Sequence, residues 1–139
     1  MKIAHSLLML LAAFLIAAPS VHAAKGSVPI QNYEDLPATS GDGKPLTAEQ
    51  VKQAILAGAN RGRWIASVQP GNVVRLTYSP RNHVAVVDVA YTAKGYSIRY
   101  SNSSNLGYGQ EGGTAVIHPN YNKWVNNLRQ AIDSNLRSF

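Results

Sequence analysis

The chain contains no cysteine, and that absence removes several options at once. No disulfide can staple an exported domain, so apolar burial must hold the fold together unaided. No thiolate can complete a metal site, and no cysteine can accept lipid near the N-terminus. Basic residues outnumber acidic ones 13 to 7, giving a formal net charge of +6 and a pI near 9.8. Yet no run of adjacent Lys or Arg occurs, which speaks against nucleic acid as a partner. The histidines form no H-x-x-x-H pair with a nearby acid, so a zinc-type site is not expected. No G-x-S-x-G is present to build a nucleophile elbow. What remains is a basic surface that favours anionic neighbours such as phospholipid head groups, acidic glycans or acidic proteins.

Long hydrophobic runs are also scarce, with one exception at the start. Lys2 supplies a positive charge, residues 7–18 are all apolar or small, Pro19 and Ser20 break the run, and Val21-His22-Ala23 follows. This is the layout of a cleaved secretory signal, expected over residues 1–23. As a helix the run would rise only about 18 Å against a hydrocarbon core of roughly 30 Å, too short for a stable span. The expectation is a periplasmic protein with no transmembrane span once the signal is removed.

Residues 24–45 read as a flexible leader, because Pro29, Pro37 and Pro45 alternate with Gly26, Gly41 and Gly43 and few large apolar residues are available to bury. A single domain is expected over residues 46–139. Thr47 and Gln50 form a capping box, in which each side chain satisfies the other's backbone N–H. Val51, Ala54, Ile55 and Gly58 then share one helical face, and Gly62 offers a left-handed stop. Four strands follow over residues 63–69, 73–79, 83–92 and 96–102, joined by short Pro-, Gly- and Asn-containing turns. Pro119 opens a last helix whose apolar stripe runs through Tyr121, Trp124, Val125, Leu128, Ala131, Ile132 and Leu136. The pattern predicts an α+β fold: a two-layer sandwich of a four-stranded antiparallel meander with two helices on one face, in the order α-β-β-β-β-α.

Several residues are candidates for function. Alternation places Arg75, Asp88 and Arg99 on the outward side of different strands, where Asp88 could orient two guanidinium groups for an anion, or where they could simply form exposed ion pairs. The segment 103–114 is longer and richer in glycine than a strand-to-helix connection requires. Its Leu106 and Tyr108 are candidate contact residues on a pliable loop. His83 opens a strand beside a turn, and His118 is placed to cap the last helix. A Ser-His-Asp set drawn from a loop serine, His118 and Asp88 has no motif behind it. Tyr121 and Trp124 could stack on sugar rings, but their place on the apolar stripe suits core packing.

Residues 54–64, 81–89 and 96–100, together with Ile117-His118-Pro119-Asn120-Tyr121-Asn122-Lys123-Trp124-Val125, complete a series of motifs. Over residues 46–136 the chain resembles a family of small proteobacterial periplasmic proteins and lipoproteins with a C-terminal I-H-x-x-Y-N-x-W-V motif. The resemblance implies an exported bacterial domain on a tethering leader and brings no activity with it. The lipoprotein members carry a lipidated cysteine that this chain lacks. The resulting expectation is a non-enzymatic envelope interaction module that needs no cofactor and binds an envelope protein or an anionic surface component. Two alternatives stand beside it. One is a cell-envelope hydrolase using His83 or His118, and the other is a lysozyme-type inhibitor acting through the 103–114 loop, which a shared positive charge disfavours.

Overall fold

The computed structural model describes residues 26–139, so the expected signal segment, 1–23, lies outside the described residues. In chain order the elements are β1 (Val28–Pro29), β2 (Tyr33–Pro37), α1 (Ala48–Arg61), β3 (Ile65–Gln69), β4 (Val73–Tyr78), β5 (Val84–Tyr91), β6 (Gly95–Ser104), β7 (Gly109–Glu111), β8 (Thr114–Ile117) and α2 (Pro119–Leu136). The fold is α+β. Its strands form two antiparallel sheets, one of five strands in the order β2-β6-β5-β4-β3 and one of three in the order β1-β8-β7.

The helices form where the local signals place them. Thr47 caps α1 through a reciprocal pair: its Oγ1 accepts from Gln50 N at 3.1 Å, and its own N donates to Gln50 Oε1 at 2.9 Å. Val51, Ala54, Ile55, Gly58 and Ala59 are buried along the inner face. The stop differs from expectation. Gly62 has φ −85°, and the left-handed residue is Arg63 at φ 62°. Gly62 is small for another reason, since a Cβ there would lie 3.0 Å from the Trp64 ring. Pro119 begins α2, and Tyr121, Val125, Leu128, Ile132 and Leu136 are its buried stripe. The two helices pack closely because Gly58 has no Cβ; one added there would stand 2.8 Å from the Ile132 backbone N.

Alternation sets the sheet register. Val74 and Leu76 on β4, Val87 and Val89 on β5 and Ile98 on β6 are fully buried. Between them Arg75, Asp88 and Arg99 fall on the opposite side, in direct register as Arg75↔Asp88 and Asp88↔Arg99. Each fully buried Val, Leu or Ile contributes about 1.5–3 kcal/mol, which is how a fold without disulfides can persist. Both helices cover the inner side. Tyr78 meets Trp124 edge-on at 5.3 Å, Tyr100 meets Tyr121 at 5.6 Å, and the Tyr96 hydroxyl donates to Asp133. Burial first, and then the Asp133 carboxylate that accepts its proton, push the Tyr96 hydroxyl well above the usual phenol range.

Two expectations need correction. The sheet is not a four-stranded meander, because β2 adds a fifth strand beside β6 and a second, smaller sheet stands alongside. Residues 28–37 are therefore not a free leader. Val28 pairs with Ile117, and Tyr33 pairs with Ile98. Side chains complete the attachment. Asn32 Oδ1 accepts from Tyr100 N at 2.9 Å, Asp35 N donates to Ser97 Oγ at 2.9 Å, and Tyr33 Oη donates to Asn126 Oδ1 at 3.2 Å. The Tyr33 ring also lies 5.4 Å beneath the Arg129 guanidinium. Further on, Gly41 N donates to the Phe139 carbonyl at 3.1 Å.

Candidate functional site

The outward side of the five-stranded sheet carries the expected charged residues, with different partners. Arg75 grips Asp88 with two bonds, Nε to Oδ1 at 2.8 Å and Nη2 to Oδ2 at 2.9 Å. Arg99 lies beside Asp88 in register but turns the other way. It forks onto Glu34 of β2, with Nε to Oε1 at 2.8 Å. Asp88 therefore orients one guanidinium rather than two, and Glu34, which falls in the expected leader, holds the second. The Arg99 hydrogen bonds hold the Glu34 carboxyl below the usual carboxylate range, and the carboxylates raise both guanidiniums in return. All four groups face water, so these pairs contribute little to stability. Their chemical effect is neutrality, because each cation of the expected anion patch already faces a carboxylate.

Beside this row the surface is recessed. A cleft of about 560 Å³ lies at the end of the sheet where the β3–β4 and β5–β6 turns approach β2. Ala90 and Ser97, opposite one another across β5 and β6, are among its lining residues, with Asn72, Lys94, Asp35 and Arg99 around them. The recess follows from small side chains in register and from a bulge in β2, where Asp35 adopts φ 49° and the pairing shifts between Tyr33 and Leu36. Ser97 is buried, and its Oγ accepts the Asp35 N–H. The cleft offers charges of both signs, Lys94 and Arg99 with Asp35.

The segment 103–114 is not a pliable loop. β6 extends through Ser104, and residues 109–117 form a hairpin whose turn is Gly112-Gly113, with φ 54° and 80°. Two successive left-handed glycines between paired strands are a strong hairpin signal, and it stood in the sequence unread. Leu106 is 3 % exposed and belongs to the core, and its carbonyl accepts from His118 N at 2.8 Å. It is unavailable as a contact residue. Tyr108 is 40 % exposed but stacks on Tyr100 at 4.9 Å, nearly parallel. Tyr100 faces the helices, so Tyr108 does not share a surface with Arg75, Asp88 and Arg99.

The two histidines among the described residues, His83 and His118, occupy structural positions. His118 Nδ1 accepts from Asn120 N at 3.1 Å, capping α2 as expected. His83 Nδ1 lies 2.6 Å from the Asn105 carbonyl, which requires the proton on that nitrogen. Asp88 sits on the outward side of the sheet and His118 starts the helix that covers the other, so the two do not meet. Among the described residues no group of three or more His, Cys, Asp or Glu clusters as metal ligands would. No helix among them is long and apolar enough to cross a membrane. Tyr121 is fully buried, and Trp124 packs partly buried against the core, beside a recess of about 110 Å³ shared with Trp64 and Tyr78. No family model matches the chain, and neither the curated proteins nor the solved structures yield a similar one.

Proposed function

We propose that this chain is an exported, non-enzymatic interaction module of the bacterial envelope, acting in the periplasm. Its binding surface is the outward side of the five-stranded sheet, and a protein partner is anchored in the cleft beside Arg99. The observation that carries the reading is that cleft, a recess of about 560 Å³ lined by Ala90, Ser97, Asp35 and Lys94. Recesses with a few convergent polar groups are where ligands and anchoring side chains are bound. The paired state of Arg75 and Arg99 favours a protein partner over a purely anionic component, which would have to displace carboxylates already in place. Export is supported by the signal-like pattern of residues 1–23.

In-cell crosslinking from a photoreactive side chain at Lys94, compared with one at Arg61 on the helical side, tests the assignment. A partner captured from position 94 and lost on Ala90→Phe, which fills the cleft, is the expected result. Capture that is indifferent to Ala90→Phe, or equal from both positions, would overturn it.

A further inference from the structure

Among the described residues β3 ends the five-stranded sheet, with β4 on one side and no strand on the other. Its open side therefore presents backbone N–H and C=O groups with no strand partner, although the Ser67 carbonyl accepts from Gln69 Nε2 at 3.4 Å, and such an edge is a template for another strand. Edge strands are ordinarily guarded by charge, proline or a bulge, and β3 has none of these. Ile65-Ala66-Ser67-Val68-Gln69 is uncharged and pairs with β4 in unbroken register. Ile65 is 74 % exposed and Val68 56 % exposed, the two most exposed large hydrophobic residues described.

From this edge we infer that two copies of the chain associate through β3, antiparallel about a two-fold axis at Ser67, joining their sheets into one continuous sheet. The sequence of the strand is complementary to itself in that register. Val68 of each copy stands opposite the partner copy's Ala66 on the helix-facing side, and Ile65 stands opposite Gln69 on the outward side. Such an isologous contact closes on itself and leaves no β3 edge open. Charge selects the same arrangement. Arg63 lies two residues before the first residue of the strand, and an antiparallel pairing places it beside the partner copy's uncharged Pro70-Gly71 turn. The two Arg63 residues are then about 26 Å apart at roughly 3.3 Å per residue, well beyond a Debye length at physiological salt. A parallel pairing would set them side by side. A five-residue edge covers much less than the roughly 1,200 Å² of a standard stable interface. The dimer is accordingly weak, populated at high micromolar concentration and above. The cleft assigned above opens on the outward side of the sheet and is a separate surface from this edge, although Gly71 of the β3–β4 turn borders both.

The absence of native cysteine makes the test clean. In the antiparallel register the two copies' residues at position 67 have Cα atoms about 4.5–5.5 Å apart, within disulfide range. Ser67→Cys should oxidise to a covalent dimer at least 10-fold faster than Glu34→Cys, which places a thiol on the opposite edge. Adding Val68→Lys to Ser67→Cys should return the rate to that of Glu34→Cys, with circular dichroism unchanged. Sedimentation of the unmodified chain from 10 μM to 1 mM should show a rising dimer fraction that Val68→Lys removes. Equal oxidation of the two single variants, insensitivity to Val68→Lys, or a monomer throughout would each overturn the proposal. So would capture by Ser67→Cys in cells of other proteins to the exclusion of a second copy.

Discussion

β2 and β3 close the five-stranded sheet at opposite ends, and the two strands meet water in different ways. β2 ends at Pro37, bulges at Asp35 and carries Glu34 and Asp35 side by side. Each of these features discourages another strand from adding. It is held by tertiary contacts more than by its own strand character, through Tyr33 to Asn126 and Arg129, through Asn32 to Tyr100 and through Asp35 to Ser97. β3 is regular, uncharged and exposed along most of its length, and a hairpin to β4 holds it. One edge is stabilised by what lies behind it and closed to newcomers. The other forms locally and stays open. An edge strand can thus be recognised by its guards as well as by its position.

Substitutions that break this contrast should differ in size. Tyr33→Ala has the largest expected effect, because it removes a half-buried ring, its bond to Asn126 and its contact with Arg129. A loss of about 2–3 kcal/mol in urea unfolding is expected. Gly95→Ala comes next. A Cβ at that position would lie 2.5 Å from the Leu36 carbonyl oxygen, forcing β2 outward at a cost of about 2 kcal/mol, with faster hydrogen exchange confined to β2. Asp35→Gly should act in the opposite sense. It relieves a left-handed non-glycine residue and should raise stability by about 0.5–1 kcal/mol after the extra chain entropy of glycine is counted.

Glu34→Gln should produce a smaller loss that depends on pH. The Glu34 carboxyl is held below its ordinary value of 4.5 when folded, so its contribution is fully present above that value. It fades as pH falls through the lower folded value. Urea midpoints of Glu34→Gln and the unmodified chain should differ slightly at pH 7, less in high salt, and converge at strongly acidic pH, below the lowered folded value. On the open edge Ile65→Thr should change stability by no more than about 0.5 kcal/mol, measured at a concentration where the chain is monomeric.

Much of the architecture was legible where it is local. The Thr47–Gln50 capping box, the alternation through Val74, Leu76, Val87 and Val89, and the stripe on α2 all depend on near neighbours, and each formed where the pattern indicated. The alternation also aligned Arg75, Asp88 and Arg99 in one row. What escaped was non-local. β2 has no periodicity of its own, being broken by its bulge and ended by proline, and its β6 partners lie 58 to 65 residues away in sequence. Without it, neither Glu34 as the partner of Arg99 nor the Asp35 wall of the cleft could be anticipated. Leu106 was misassigned because glycine-rich flanks obscured a buried anchor between two hairpins. The Gly112-Gly113 turn, by contrast, was readable, and so was the uncharged run from Ile65 to Gln69 that marks the open edge.

The pairing of Val28 with Ile117 has a consequence for the order in which the molecule can assemble. A chain emerging from a translocation pore or a ribosome in sequence order presents residues 28–37 first among the described elements. Their partners in β6 and β8 come near the end. The β3–β4 hairpin and the β5 strand beside it can pair early, since short loops close fast. The first-made strands must wait, extended and unsatisfied, until β6 and then β8 have been made. Closure of both sheets therefore waits for β8, when α2 alone of the described elements is still to come, so the molecule is sealed by its later half and not by its first strands.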